Sequence, residues 1–220
     1  TNVNIPTAGT QFDGTRDGTD GFVAVFSKDL GTLQYSTYLG AGGTEALGVT
    51  TVRAISDSQF AVGMTVNGAL GASYISATNT DNTYSGSEMY IAKFSISSGT
   101  SFNTLTYGTY VGGTDNEEFN DLEVLADGRI AFVGSTSGTN LTQVNGAAAN
   151  GTGIDGLIGV INAAGNGYNY LDRIGGTGTD RLNDVEILGE SLYWTGSAST
   201  GFPTSMGAYD TGHNGGTDVV

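Results

Sequence analysis

The feature that most constrains this chain is that it repeats itself with a period near 66 residues. Gly18-Thr19-Asp20-Gly21-Phe22-Val23-Ala24-Val25-Phe26 returns as Gly86-Ser87-Glu88-Met89-Tyr90-Ile91-Ala92-Lys93-Phe94. It returns again as Gly153-Ile154-Asp155-Gly156-Leu157-Ile158-Gly159-Val160-Ile161, and a fourth copy starts at Gly216-Thr217-Asp218-Val219-Val220. The steps from Asp20 to Glu88, Asp155 and Asp218 are 68, 67 and 63 residues. Self-similarity at such a period marks a stack of supersecondary units, each too small to bury its apolar faces alone.

The rest of the unit repeats in the same order. Tyr35-Ser36-Thr37-Tyr38-Leu39-Gly40 matches Tyr107-Gly108-Thr109-Tyr110-Val111-Gly112 and, more weakly, Tyr170-Leu171-Asp172-Arg173-Ile174-Gly175. A Gly-rich turn follows each: Gly42-Gly43-Thr44, Gly112-Gly113-Thr114 and Gly175-Gly176-Thr177. Then Phe119-Asn120-Asp121-Leu122-Glu123-Val124 matches Leu182-Asn183-Asp184-Val185-Glu186-Ile187, with Ala46 to Thr51 as a degenerate first copy. The last strand passes through Val62-Gly63-Met64, Val133-Gly134-Ser135 and Thr195-Gly196-Ser197. Ile5-Pro6-Thr7 with Gln11-Phe12-Asp13 corresponds to Phe202-Pro203-Thr204 with Ala208-Tyr209-Asp210.

Within a unit the apolar runs are short and alternating, and turn residues separate them. That is the pattern of strands, with almost no helical periodicity. Strands are expected at 22–26, 33–39, 49–55 and 60–65, with longer connections near 66–85, 137–152 and 198–215. The 37 glycines in 220 residues punctuate these turns. Four antiparallel strands repeated without helices predict an all-β fold of β-propeller blades. The expected units are 6–73, 74–140, 141–203 and the start of a fourth at 204–220. Three blades and a strand fall short of the four to eight that close a ring. The expectation is therefore a partial propeller domain over 1–220, part of a longer protein, with several chains completing one propeller as the alternative.

The residues at 20–26, 35–40 and 202–204 resemble the SBBP family, the seven-bladed β-propeller repeat of bacterial proteins. The resemblance covers nearly the whole chain. It departs where Tyr74-Ile75-Ser76 stands in place of a Pro-Thr linker, and where the third unit lacks that linker at its start. The resemblance implies a secreted or cell-surface protein, of the kind associated with type IX secretion and gliding adhesins. It also implies a structural or adhesive module rather than an enzyme.

Composition narrows function further. Seven Lys and Arg against 22 Asp and Glu give a net charge of −15, which repels phosphate backbones and argues against nucleic-acid binding. No apolar run reaches the ~20 residues of a membrane helix, so no membrane insertion is expected. The absence of Cys removes disulfides and thiolate chemistry and is compatible with export.

Site candidates are few. The single His213 lies in the turn-rich segment 210–215 and is expected to be a solvated loop residue, as are the only lysines, Lys28 and Lys93, to serve solubility. Trp194, in an apolar strand, is expected to pack between sheets. The best candidate is an acidic turn at Asp115, Asn116, Glu117, Glu118, Asn120 and Asp121, matched by Asp180, Asn183 and Asp184 and by Glu45 in the first unit. Its oxygen donors suit calcium, with Asp115, Glu117, Asp121, Asp180 and Asp184 as ligands, although no Asp-x-Asp-x-Asp-Gly loop is present. The competing expectation is that Asn-Asp caps a turn and the carboxylates face water. Asp20, Glu88, Asp155 and Asp218 recur in every unit and are expected to accept backbone hydrogen bonds from a neighbouring blade. No catalytic residue and no cofactor are expected. The expected partners are other domains or chains of a surface assembly, or glycans. Two alternatives stand beside the adhesive scaffold: a polysaccharide-active propeller enzyme and an architectural spacer in a surface filament.

Overall fold

The structure is a computed structural model, and it describes residues 6, 11–16, 18–40, 46–76, 80–97, 101–146 and 151–219. The turn 42–44, Glu45 and Val220 lie outside the described residues. Thirteen strands are described: β1 (Gly21–Phe26), β2 (Leu33–Leu39), β3 (Ala46–Ser56), β4 (Gln59–Val66), β5 (Glu88–Ser97), β6 (Ser101–Val111), β7 (Glu117–Val124), β8 (Ile130–Thr136), β9 (Asp155–Ile161), β10 (Tyr168–Ile174), β11 (Arg181–Leu188), β12 (Ser191–Ala198) and β13 (Asp218–Val219). Among the described residues the only helical element is a 3-10 turn at Ala72–Tyr74, so the all-β expectation holds.

The strands form antiparallel meanders. Sheets β3-β4-β5-β6 and β7-β8-β9-β10 have four strands each, β1-β2 has two and β11-β12-β13 has three. The chain divides into two compact units, Thr1–Val111 and Gly112–Val220. The first holds β1 to β6 and the second β7 to β13.

The sheets are out of phase with the sequence repeat. β1 and β2 belong to one sheet, whereas β3 and β4 of the same repeat begin the next. In the second unit the Gly175-Gly176-Thr177 turn carries the chain from sheet β7-β10 to β11. The long connections, which the sequence presents as linkers, instead stay within a sheet. Each leaves the second strand of its sheet and returns to the third, and the first two run along the edge of the fourth on the way. Asp81 O accepts the Tyr110 N–H at 3.1 Å, and Val144 and Leu171 exchange two backbone bonds of 2.9 Å each. Asp13 O accepts the Tyr38 N–H at 3.1 Å in the same way. Edge strands expose unpaired backbone that recruits other strands, and these connections cover it.

Packing between sheets follows the strand alternation. In the first unit Val23, Tyr35 and Leu39 of β1-β2 face Phe60, Val62, Met64, Tyr90, Ala92 and Phe94 of β4 and β5. Phe12, from the connection ahead of β1, inserts edge-on between Tyr74 and Phe94, with ring centroids 5.0 and 5.2 Å away. In the second unit Ala131, Val133 and Val160 of β8 and β9 face Leu182, Val185, Leu192 and Trp194 of β11 and β12. Trp194 thus packs between sheets, half-buried, and also meets Phe202 edge-on at 6.3 Å.

Candidate functional site

The acidic segment does not form one turn. Its turn spans 112–116, and Glu117, Glu118, Asn120 and Asp121 lie inside β7. A β-bulge falls between Phe119 and Asp121, and its counterpart falls between Leu182 and Asp184 in β11. Asn-Asp therefore marks a bulge rather than a turn cap. A bulge leaves one residue out of the ladder and re-aims its side chain. Here Asn120 Nδ2 donates to Leu182 O at 2.7 Å, and Asp121 Oδ2 accepts the Val185 N–H at 3.3 Å. Both reach from the first strand of one sheet to the first strand of the next. Arg181 adds bonds from β11 to Glu118 Oε2 at 2.7 Å and to Ser135 Oγ at 2.8 Å.

Glu117 and Asp180 are a repeated pair with a different task. Glu117 Oε2 accepts the Gly113 N–H at 3.2 Å and Oε1 accepts the Thr136 hydroxyl at 2.6 Å. Asp180 Oδ2 accepts the Gly176 N–H at 2.8 Å, and Oδ1 accepts the Ser199 N–H at 2.6 Å. Each carboxylate binds the amide four residues behind it and a hydroxyl residue 19 ahead. It closes the Gly-Gly turn that precedes its strand and ties that turn to the end of the following strand. Both are buried. Burial pushes the Glu117 carboxyl above its ordinary range, although the Thr136 and Gly113 bonds oppose it.

Of the five proposed calcium ligands, Glu117, Asp121 and Asp180 are buried in these bonds, while Asp115 and Asp184 are exposed. Among the described residues, no three His, Cys, Asp or Glu side chains converge as a metal site.

The carboxylate that opens the third strand takes its described bonds from its own sheet. Glu88 Oε2 accepts the Ser85 N–H and Asp218 Oδ2 the Asn214 N–H, each at 2.9 Å. Asp155 is fully buried and pairs through Oδ2 with Arg173 Nη1 at 3.2 Å. Arg173 also donates to Gly138 O at 2.7 Å. Among the described residues, Asp155 Oδ1 has no hydrogen-bond partner. It lies where a Cβ on Gly175 would be 2.2 Å away, so any side chain at that position would force the Asp155 carboxylate to shift. Burial raises the Asp155 carboxyl, and the Arg173 cation pulls against it. Arg173 takes the place that Tyr38 and Tyr110 hold in the other repeats. That departure from pattern is the one sequence signal for the ion pair.

His213 lies in the third connection, beside a cavity of about 310 Å³ lined in part by Phe202, Thr204, Asp210, Asn214 and Asp218. Its Nε2 is 3.0 Å from Gly216 O and its Nδ1 3.1 Å from Thr200 Oγ1, which assigns the proton to Nε2 and makes Nδ1 the acceptor. Both nitrogens thus brace the loop. Lys28 is exposed, whereas Lys93 is buried in β5 and does not serve solubility.

The repeated polar residues therefore fasten turns, sheets and strand starts. No family model matches the chain, and no curated protein matches it.

Proposed function

We propose that the chain is a run of blades from an SBBP-type β-propeller, serving as a non-enzymatic scaffold or adhesive module of a large secreted or surface-displayed bacterial protein. The observation that carries this is the stapling of successive first strands. Asn120 and Asp121 of β7 bond the backbone of β11, and Arg181 returns the link to Glu118 and Ser135. In a propeller these first strands line the central channel, and such bonds would hold neighbouring blades in register. Asn-Asp recurs as Asn183-Asp184 in β11, and recurring side chains suit architecture, because chemistry needs only one constellation.

A structure of the longer protein that carries this chain tests the architecture. A closed ring with β3, β7 and β11 innermost supports it, and an open stack overturns it. Cell fractionation and a glycan array test the role: an intracellular location overturns it, and glycan binding selects adhesion over spacing. A calcium contribution at Asp115 and Asp184 is tested by chelation of the intact protein. A fall in Tm supports the ion, and an unchanged Tm removes it.

A further inference from the structure

Two buried carboxylates meet at one glycine in the second unit. Asp155, which opens β9, and Asp180, which precedes β11, are both 0% exposed. A Cβ on Gly175 would lie 2.2 Å from Asp155 Oδ1 and 2.9 Å from Asp180 Oδ2, so the two oxygens flank the same point. Asp155 Oδ2 pairs with Arg173, and Asp180 accepts the Gly176 N–H, the Ser199 N–H and the Ser199 hydroxyl. Asp155 Oδ1 differs from these. Among the described residues it is a buried oxygen with no hydrogen-bond partner, and it is turned toward the point it shares with Asp180 Oδ2.

The charges around this point do not balance. Arg173 brings one positive charge to two carboxylates. Asp172, the next buried carboxylate along β10, is turned to Gln143 and Tyr170 instead. One negative charge is left over, and a buried charge is costly unless it is paired or coordinates a metal. Carboxylate oxygens are hard donors that suit hard cations rather than soft transition metals. No third acidic side chain joins the pair among the described residues. Bare backbone surrounds it, however. Gly151, Gly153, Gly175, Gly176 and Gly178 lie on two stretches that bond to each other, Thr152 N–H to Gly176 O and Ile154 N–H to Gly178 O, each at 3.1 Å. A carbonyl oxygen keeps a second lone pair after one such bond, and hard cations draw on carbonyls as well as carboxylates. The pairing of carboxylate and glycine recurs in the first unit, where a Cβ on Gly40 would lie 2.3 Å from Asp20 Oδ1.

We propose that Asp155 Oδ1 and Asp180 Oδ2 are ligands of a small hard metal cation, sodium or calcium, held at Gly175. Either ion supplies the positive charge that Arg173 alone does not. The bound cation ties the start of β9 to the Gly-Gly turn that leads from β10 to β11, and so fastens one sheet to the next. The site is separate from the exposed Asp115 and Asp184, and it does not depend on ring closure, secretion or adhesion.

Thermal unfolding of the 220-residue chain tests this. The chain is treated with a chelator, dialysed into tetramethylammonium chloride and titrated with sodium or calcium chloride at constant ionic strength, which holds general screening fixed. Tm is expected to rise saturably with one of the two ions, by about 5–10 °C at a hundredfold excess over Kd, and the responding ion identifies the ligand. Asp155→Asn keeps an oxygen for Arg173 and is expected to abolish the rise. Arg173→Met makes the site more negative and is expected to lower the half-saturating concentration about tenfold, a gain that misfolding does not mimic. Asp115→Asn combined with Asp184→Asn should leave the response unchanged. A Tm that is equal in all three salts overturns the proposal. So does a response that survives Asp155→Asn, one that disappears in the Asp115→Asn, Asp184→Asn double variant, or an affinity that Arg173→Met leaves unchanged. Each of these failures leaves the scaffold reading intact, since that rests on blade closure and location.

Discussion

Replacing Arg173 by Met isolates the one buried ion pair among the described residues. The pair is well sealed, with side-chain exposures of 10% for Arg173 and 0% for Asp155. Met keeps much of the stem volume and deletes the charge. Asp155 is left as a buried carboxylate without a cation, and Gly138 O loses a donor at 2.7 Å. Removing one partner of such a pair costs about 3–5 kcal/mol, because the remaining charge stays desolvated. In a chain of this size each kcal/mol moves Tm by about 2–4 °C. The expected drop is thus between about 6 and 20 °C at pH 7.

The pH dependence separates charge from packing. Burial already raises the Asp155 carboxyl, and losing Arg173 raises it further. A raised carboxyl weakens the folded state at neutral pH, and the loss is recovered as pH falls through the folded value toward about 3.9. The gap between variant and wild type in urea unfolding should therefore narrow from pH 7 to pH 4. What remains is the Gly138 carbonyl and lost contacts, about 1–3 kcal/mol. Adding Asp155→Asn to the Arg173→Met variant should restore more than half of the neutral-pH loss. A loss below about 1 kcal/mol, or a gap equal at both pH values, would refute the assignment of a buried charge pair.

Asp180→Ala strands the Gly176 and Ser199 amides and should cost about 2–4 kcal/mol by urea unfolding, with faster proteolysis at 175–179. Gly159→Ala places a Cβ 2.2 Å from Phe132 Cζ in its cross-strand partner, and overpacking should cost about 1–3 kcal/mol. Because Ala92 faces Val62 at the same register in β5 and β4, adding Phe132→Val should recover most of that loss on the same denaturation curve. Glu117→Gln keeps an acceptor for Gly113 and removes a carboxyl whose folded value is raised. The wild type should gain stability relative to this variant as pH falls from 7 toward 4.5, read as the difference in Tm.

The strands were legible in the sequence because one face of each must be apolar. The alternation in Phe22 to Phe26 and the run Phe60 to Thr65 place β1 and β4 within a residue or two of their observed ends. Which strands share a sheet was not legible. A repeat of four strands reads the same wherever it is cut, and only hydrogen bonding shows that β3-β4 join β5-β6 rather than β1-β2. Length misled at the connections. A long polar segment suggests a linker, yet Leu70, Tyr74 and Asp81 are held to β6 or to its neighbour β5. Asn120-Asp121 carries a turn composition, but β7 is fixed by Phe119 and Leu122, both buried, and the chain accommodates Asn120 as a bulge.

The acidity of the chain is partly architectural. Glu117, Asp121, Asp155 and Asp180 are all buried, and each serves as an acceptor or ion-pair partner that a neutral side chain would fill less strongly. The two sheet-to-sheet contacts are also built differently. The first unit uses an aromatic plug, Phe12 between Tyr74 and Phe94. The second uses Asn120, Asp121 and Arg181. Identical interfaces would let repeats stack in any order or slip by one. Unlike interfaces penalise the wrong neighbour, because a plug meets no socket and a bulged Asn finds no carbonyl. The sheet contact inside the first unit and the one inside the second are thus distinguished by the side chains that build them.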